Sequence, residues 1–145
     1  MGKGQETSLI RGTVGGVIAA MAMTGMRVVT TELGIVDQVP PEAIVAQKTP
    51  SLFALVPKRR HKVMLELLHW AYGASAGAAF GKLPRDLRAK KWMGPGYGLG
   101  VWLAFEAVLA PALGLSQASE ARIAERIAFA VDHALYGTMV AAYST

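Results

Sequence analysis

The sequence contains no cysteine and no asparagine. Without cysteine, disulfides, thiolate nucleophiles, iron–sulfur clusters and cysteine-ligated zinc are excluded. Without asparagine there is no acceptor for N-glycosylation. Charged residues are also scarce, at 17% of the chain, whereas soluble domains average about 25%. The charges cluster between apolar runs, which is typical of a membrane protein.

Apolar residues are correspondingly abundant. Hydrophobic residues make up 52% of the 145 residues, and another 16 residues are glycine. A chain of this length has room for one domain, which we place at residues 1–145. The net charge of +5 does not indicate a nucleic-acid partner, because the basic residues lie at the ends of apolar runs without interleaved aromatic residues. We expect them to set topology and to contact the headgroups of the lipid bilayer.

Four apolar runs are long enough to cross a bilayer as helices: residues 12–31, 63–81, 94–115 and 123–143. At ~1.5 Å per residue, about twenty residues cross the ~30 Å hydrocarbon layer. The sequence therefore predicts an all-α fold, a single integral membrane domain built as a polytopic bundle of about four transmembrane helices. The alternative is a soluble helical bundle, in which polar residues recur every three or four positions. Residues 18–23 and 71–80 lack such a polar face.

Lys and Arg residues bear on the orientation of these helices. The N-terminal tail and the second loop hold seven of them, against six in the first and third loops. By the positive-inside rule, we expect both termini on the cytoplasmic side of a bacterial inner membrane. The first connection, 32–62, holds an apolar patch at 51–56 that is too short to span and is expected to lie along the interface. The first run has features of a signal peptide, and we expect it to be retained.

Glycines recur every fourth residue in three of the four runs. The repeats are Gly12 and Gly16 in the first run, Gly73, Gly77 and Gly81 in the second, and Gly96 and Gly100 in the third. Glycines four apart form a flat helix face on which a second backbone can approach closely. We predict that these residues are helix-packing faces. Whether the partner helix belongs to the same chain or to another chain stays open at this point.

Ionisable side chains also occur inside the runs: Arg27, Glu66, His69, Glu106, Asp132 and His133. By helical spacing, Glu66 and His69 lie on the glycine face of the second run, and Arg27 on that of the first. An ionised acid facing lipid costs ~2.5 to 3.5 kcal/mol or more, so each acid should be paired, protonated or hydrated. Two interpretations are open. These residues either hold helices together or form a path for protons or ions.

The glycine repeats favour a protein that acts by helix association, as an accessory or oligomer-forming subunit whose partners are other membrane-protein chains or further copies of itself. The alternative is a proton-linked transporter or channel that uses the intramembrane carboxylates. No enzyme is expected, since the Gly73-Ala74-Ser75-Ala76-Gly77 stretch lies within one apolar helix and lacks the strand that a nucleophile elbow requires. No cofactor or metal is expected either. His69 and His133 differ in depth by ~6 Å, which does not suit a shared haem.

Several stretches resemble the YagU-type family of small bacterial inner-membrane proteins, whose function is unassigned. They are His69-Trp70-x2-Gly73, Gly96-x3-Gly100-x-Trp102 with Glu106, and Pro111-Ala112-Leu113-Gly114-Leu115. The first connection is short for that family. The resemblance implies an inner-membrane location and a similar helix count, and it implies no chemistry.

Overall fold

The computed structural model describes residues 3–35, 56–109, 111 and 123–144. All of its regular elements are helical. They are α1 (Lys3–Glu32), a 3₁₀ turn (Lys58–Arg60), α2 (His61–Gly81), the short α3 (Arg85–Arg88), α4 (Met93–Ala104), a π-helical turn (Phe105–Leu109) that continues α4, and α5 (Ile123–Ser144). The prediction of an all-α fold is thereby confirmed, and these ranges contain no strand.

The helices follow the apolar runs of the sequence, with differences at the ends. The first helix begins at Lys3 rather than at residue 12, and the basic second loop contains α3, which the sequence analysis did not predict. For the third run, α4 and the π-helical turn cover 93–109, whereas most of 110–115 lies outside the described residues. The predicted interfacial patch at 51–56 also lies outside them, apart from Val56.

Close backbone contacts join α1 to α2. Gly12 lies against Gly77, and Gly16 lies against Gly73, so the two helices run antiparallel. A Cβ atom added at Gly77 would overlap the carbonyl oxygen of Gly12. Only glycine leaves room for this approach, in which backbone packing takes the place of large interlocking side chains.

A second antiparallel pair is formed by α4 and α5. Gly94 lies against Gly137, and a Cβ atom added at Gly98 would overlap the carbonyl oxygen of His133. The pairs are joined mainly by packing of α1 along α5, where Gly15 meets the side chain of Tyr143. The four long helices therefore form one bundle.

Contacts at the helix ends show which loops share an end of the bundle. Arg88 of α3 donates to the carbonyl oxygen of Leu83 at 3.0 Å and to that of Ser144, the last residue of α5. Gly81, at the end of α2, lies against Ser8 near the start of α1. The start of α1, the second loop and the end of α5 consequently lie together. The end of α1 and the starts of α2 and α5 lie at the opposite end.

Gly34 terminates α1. Its φ of +67° is a left-handed conformation that favours glycine. The amide of Gly34 donates to Thr31, and that of Ile35 donates to Thr30, at 3.0 and 2.9 Å. These two hydrogen bonds close the last turn of the helix as a Schellman motif. The chain therefore leaves the helix directly after Glu32.

Two tyrosines connect the helix pairs through hydrogen bonds to the α2 backbone. The Tyr136 hydroxyl of α5 donates to the carbonyl oxygen of Gly73, and the Tyr97 hydroxyl of α4 donates to that of Ala76, both at 2.6 Å. The Tyr97 ring also meets Phe80 edge-on, with ring centroids 5.0 Å apart. Around these rings lies a small apolar core of Ala19, Met23, Phe80, Tyr136 and Val140.

Among the described helices, one is long and apolar enough to cross a membrane by length and composition, Gly4–Glu32, with a mean hydropathy of 1.4 over its most apolar stretch. The apolar runs of the sequence predict about four. The other helices are less apolar or shorter for identifiable reasons. Glu66 and His69 interrupt α2, Asp132 and His133 interrupt α5, and α4 has 12 residues before the π-helical turn.

Candidate functional site

Arg27 of α1 and Glu66 of α2 form an ion pair inside the bundle. Nη2 of Arg27 lies 3.1 Å from Oε2 and 3.4 Å from Oε1 of Glu66. The two side chains are 11% and 23% exposed, respectively. Helical spacing accounts for the meeting, since both residues follow the glycine faces along which α1 and α2 pack.

Thr24 and Trp70 complete the shell of the Glu66 carboxylate. The Thr24 hydroxyl donates to Oε2 of Glu66 at 2.7 Å and accepts from Nη2 of Arg27 at 3.0 Å. The indole nitrogen of Trp70 donates to the same hydroxyl oxygen at 3.2 Å. Neither residue was predicted to belong to the site, because the sequence alone does not show that the Glu66 carboxylate lies beside Thr24.

His69 lies one turn along α2 from Glu66 and contacts the same guanidinium. Its Nδ1 atom is 3.0 Å from Nη2 of Arg27. Because an arginine can only donate, Nδ1 must accept, and the ring proton of the neutral imidazole is then on Nε2. The 4.0 Å separation between Nδ1 and Oε2 of Glu66 is thus a proximity of two acceptors and not an ion pair.

Asp132 and His133 of α5 lie within electrostatic range of Arg27. Asp132 is 7% exposed, and no described residue donates a hydrogen bond to its carboxylate. His133 places Nδ1 at 2.8 Å from the carbonyl oxygen of Phe129. A carbonyl only accepts, so Nδ1 of His133 carries the proton and Nε2 holds the lone pair.

We refer to these side chains as the polar layer: Thr24, Arg27, Glu66, His69, Trp70, Asp132 and His133. It brings together five of the six predicted polar residues, from three helices. Nε of Arg27 is buried and has no hydrogen-bond partner among the described residues. The guanidinium therefore contacts Glu66, His69 and Thr24 through Nη2 alone and leaves its buried Nε donor unused.

Glu106, the sixth predicted polar residue, lies outside the polar layer. It is half-buried in the π-helical turn, eight residues beyond Gly98, which contacts His133. At ~1.5 Å per residue, eight residues correspond to about 12 Å along the axis. The structure gives Glu106 no hydrogen bond or ion pair with the described residues of the layer.

The predicted packing glycines fall into two groups. Gly12, Gly16, Gly73, Gly77 and Gly81 all lie in the contact between α1 and α2. Gly96 and Gly100, in contrast, are exposed on the outer side of α4. A Cβ atom at Gly96 would meet only Trp92 of the same segment, and one at Gly100 would meet no described atom within 4 Å.

The glycines that pack α4 against α5 were missed in the sequence analysis. They are Gly94, Gly98 and Gly137. Gly94-x3-Gly98 has the same spacing as Gly96-x3-Gly100, so spacing alone marks two faces of the same helix. The buried face can be recognised only from its partner, where Gly137 supplies the matching small residue.

A groove of about 310 Å³ opens beside the polar layer, on α2. It is lined by Lys62, Val63, Glu66, Leu67 and Trp70. Within the described ranges, no group of three or more His, Asp or Glu side chains could hold a metal ion. The groups that the layer offers are two carboxylates, two imidazoles and one guanidinium, which suit the binding of protons or the pairing of helices.

Comparisons of the chain with protein-family models, curated proteins and solved structures find no match.

Proposed function

We propose that this chain is a multi-pass membrane protein that crosses the bilayer with α1, α2, α4 and its π-helical continuation, and α5. The observation that carries the proposal is the apolar outer surface of the bundle. Large hydrophobic side chains at least 44% exposed occur on all four helices, among them Ile10, Val14, Val28, Val63, Leu67, Leu103, Val108, Ile127, Val131 and Leu135. Soluble monomers rarely expose large apolar surfaces, because the contact of such surfaces with water is unfavourable.

The interior of the bundle supports the same placement. It contains small residues, a few core side chains and the polar layer, whereas most of the large aliphatic residues of the described helices are exposed. Of the most apolar stretch of α1, 39% is buried inside the protein, less than expected for the core helix of a soluble protein. A bilayer would cover the remainder and would supply the apolar environment that the small core does not provide.

The distribution of charge supports an orientation. The end that carries the start of α1, the second loop and the end of α5 also carries Lys82, Arg85, Lys90 and Lys91, all exposed. By the positive-inside rule we place this end on the cytoplasmic side, and we propose that the membrane is the bacterial inner membrane, as the resemblance implies. The resemblance to the YagU-type family agrees with this location.

Labelling of single cysteines tests the topology, because the natural chain contains no cysteine to remove. Gly4→Cys and Lys90→Cys should react with a membrane-impermeant thiol reagent from one side of the membrane, and Arg59→Cys from the other. Leu103→Cys should react only after detergent is added. The cysteine-free parent is the matched control. Labelling of all four positions from one side in intact membranes would contradict the proposal.

We further propose that the protein acts by association, as an accessory or oligomer-forming subunit. The α1–α2 glycine repeats are covered within the chain, so they offer nothing to a partner. Among the predicted packing glycines, the uncovered ones are those of the α4 outer face, which consists of Gly96, Gly100 and Leu103, all exposed and one turn apart. In a bilayer, such a face lets another helix approach closely, from a second copy or from another membrane protein.

Native mass spectrometry after gentle extraction tests the association. We expect the wild type to appear as a complex and Gly100→Leu to dissociate it, because a bulky side chain would separate the backbones. Gly25→Leu is the matched control, since Gly25 also has no described atom near its missing Cβ but lies on α1. A wild type that runs as a monomer, or equal behaviour of the two variants, would overturn the proposal.

A further inference from the structure

Asp132 is the one acid of the polar layer without a hydrogen-bonded counter-charge in the described part of the chain. Glu66, the other acid, receives donors from Arg27 and Thr24. We propose that Asp132 is a proton-binding site, held inside the bundle on α5. This site is separate from the α4 outer face, and it shares with the proposed function only the membrane placement.

The net charge of the polar layer depends on the protonation of Asp132. Arg27 supplies one positive charge, and its Nη2 atom is bound to Glu66 at 3.1 Å. When Asp132 is ionised as well, the layer has one negative charge in excess, held on a side chain that is 7% exposed. An uncompensated charge at such depth is unfavourable, so uptake of one proton by Asp132 makes the layer neutral. The proton forms an O–H bond on one carboxylate oxygen and leaves from it on release.

The two histidines provide the second step, since they can exchange protons with a carboxyl group. With Nδ1 of His133 committed to Phe129, its Nε2 lone pair can accept a proton. With Nδ1 of His69 accepting from Arg27, its Nε2 carries a proton that it can donate. The two rings lie within electrostatic range of each other. Nε2 of His133 is therefore a proton acceptor and Nε2 of His69 is a proton donor, which are the two roles that a proton relay requires.

The donor set favours a proton over a metal ion. The charged group that acts on Asp132 is Arg27 from α1, and His133 is its neighbour on α5. Arg27 in turn binds Glu66 and His69 of α2. Hard cations require several oxygen ligands, and the Glu66 oxygens are already bound by donors. A neighbouring guanidinium would also repel a cation. A proton needs only one carboxylate oxygen.

Infrared spectroscopy tests the site directly. The purified full-length protein in lipid nanodiscs is titrated with acid, and the carbonyl stretching band of a buried carboxylic acid is followed. We expect this band in the wild type, its loss in Asp132→Asn, and its retention in Glu106→Gln, the matched control outside the polar layer. Asp132→Glu should keep a band at a shifted frequency.

The same spectra decide against the proposal in two cases. A wild type without a titrating carboxylic acid band would overturn it, and so would a band of equal intensity in Asp132→Asn. If Asp132→Asn does not fold by circular dichroism, the assignment rests on Asp132→Glu. An unshifted band in that variant would assign the proton to another carboxyl group.

Discussion

Arg27 donates to Glu66 through one nitrogen, Nη2, and the same atom also contacts Thr24 and His69. The buried Nε contacts no acceptor among the described residues. A guanidinium can form two parallel bonds to a carboxylate, and this one does not. One nitrogen of Arg27 therefore joins a side chain of α1 to two side chains of α2.

Removing the partner of Arg27 should destabilise the bundle. In Glu66→Gln the buried guanidinium loses its fixed counter-charge, and we expect a loss of about 3 kcal/mol in the free energy of unfolding. Chemical unfolding in detergent, followed by circular dichroism, measures it. Glu106→Gln is the matched control and should change little, because Glu106 has no contact with the polar layer. Equal stability of Glu66→Gln and wild type would show that the pair contributes nothing.

The two acids near Arg27 should compensate for each other. In Glu66→Gln, Asp132 can still balance the charge of Arg27, and in Asp132→Asn, Glu66 does so. The double variant leaves the guanidinium without an acid in the layer, so its loss of stability should exceed the sum of the single losses by about 1 kcal/mol or more. A double-mutant cycle of unfolding free energies measures the difference. Additive losses would mean that Arg27 and Asp132 do not interact.

The glycine contact between α1 and α2 should not tolerate a methyl group. In Gly77→Ala the new Cβ meets the carbonyl oxygen of Gly12, and the backbones must separate. We expect a loss of about 3 kcal/mol, at the upper end for overpacking. Gly25→Ala is the control, because its Cβ meets no described atom, and alanine in a helix is favoured over glycine by ~0.5 to 1 kcal/mol. The melting temperatures of the two variants should move in opposite directions.

The hydroxyl of Tyr136 should contribute measurably to helix association. Tyr136→Phe removes its hydrogen bond to Gly73 and preserves the ring, so a loss of about 0.6 kcal/mol is expected, typical of bonds between membrane helices. Tyr143→Phe is the matched control at a side chain that is 44% exposed. Unfolding curves of both variants, recorded in one detergent, check the difference. A larger effect at Tyr143 would contradict the assignment.

Proton flux distinguishes a binding site from a conducting path. In liposomes with an imposed pH gradient, a path through the polar layer predicts faster dissipation with the wild type than in empty liposomes. Asp132→Asn should return the rate to that of empty liposomes, and Glu106→Gln should leave it unchanged. If the wild type conducts no faster than empty liposomes, Asp132 binds protons without passing them across the membrane.

Much of the α1–α2 contact could be predicted from the sequence. The glycines spaced by four residues from Gly12 and from Gly73 each define one face of a helix. By the same helical spacing, Arg27 lies on the first face and Glu66 on the second. Periodicity fixes which residues share a face, and the cost of an unpaired charge in lipid predicts that such polar residues find partners.

The contact of α4 could not be predicted in the same way. This helix has two overlapping glycine faces, and the choice between Gly98 and Gly100 depends on the surface of α5. The depth of Glu106 likewise depends on how α4 is placed against α5, which spacing within one helix does not specify. Thr24 and Trp70 were missed because their roles depend on a carboxylate of another residue.

The polar layer also sets the register of α1 against α2. A face with glycines at 73, 77 and 81 repeats every turn, so α1 could slide by one turn and still place Gly16 and Ala20 against small residues. Glycine contacts alone thus permit more than one alignment. A shift of one turn, about 5.4 Å, would break every bond of Arg27 to Glu66 and His69. The ion pair therefore selects one alignment of two otherwise interchangeable surfaces, as buried polar residues do in coiled coils.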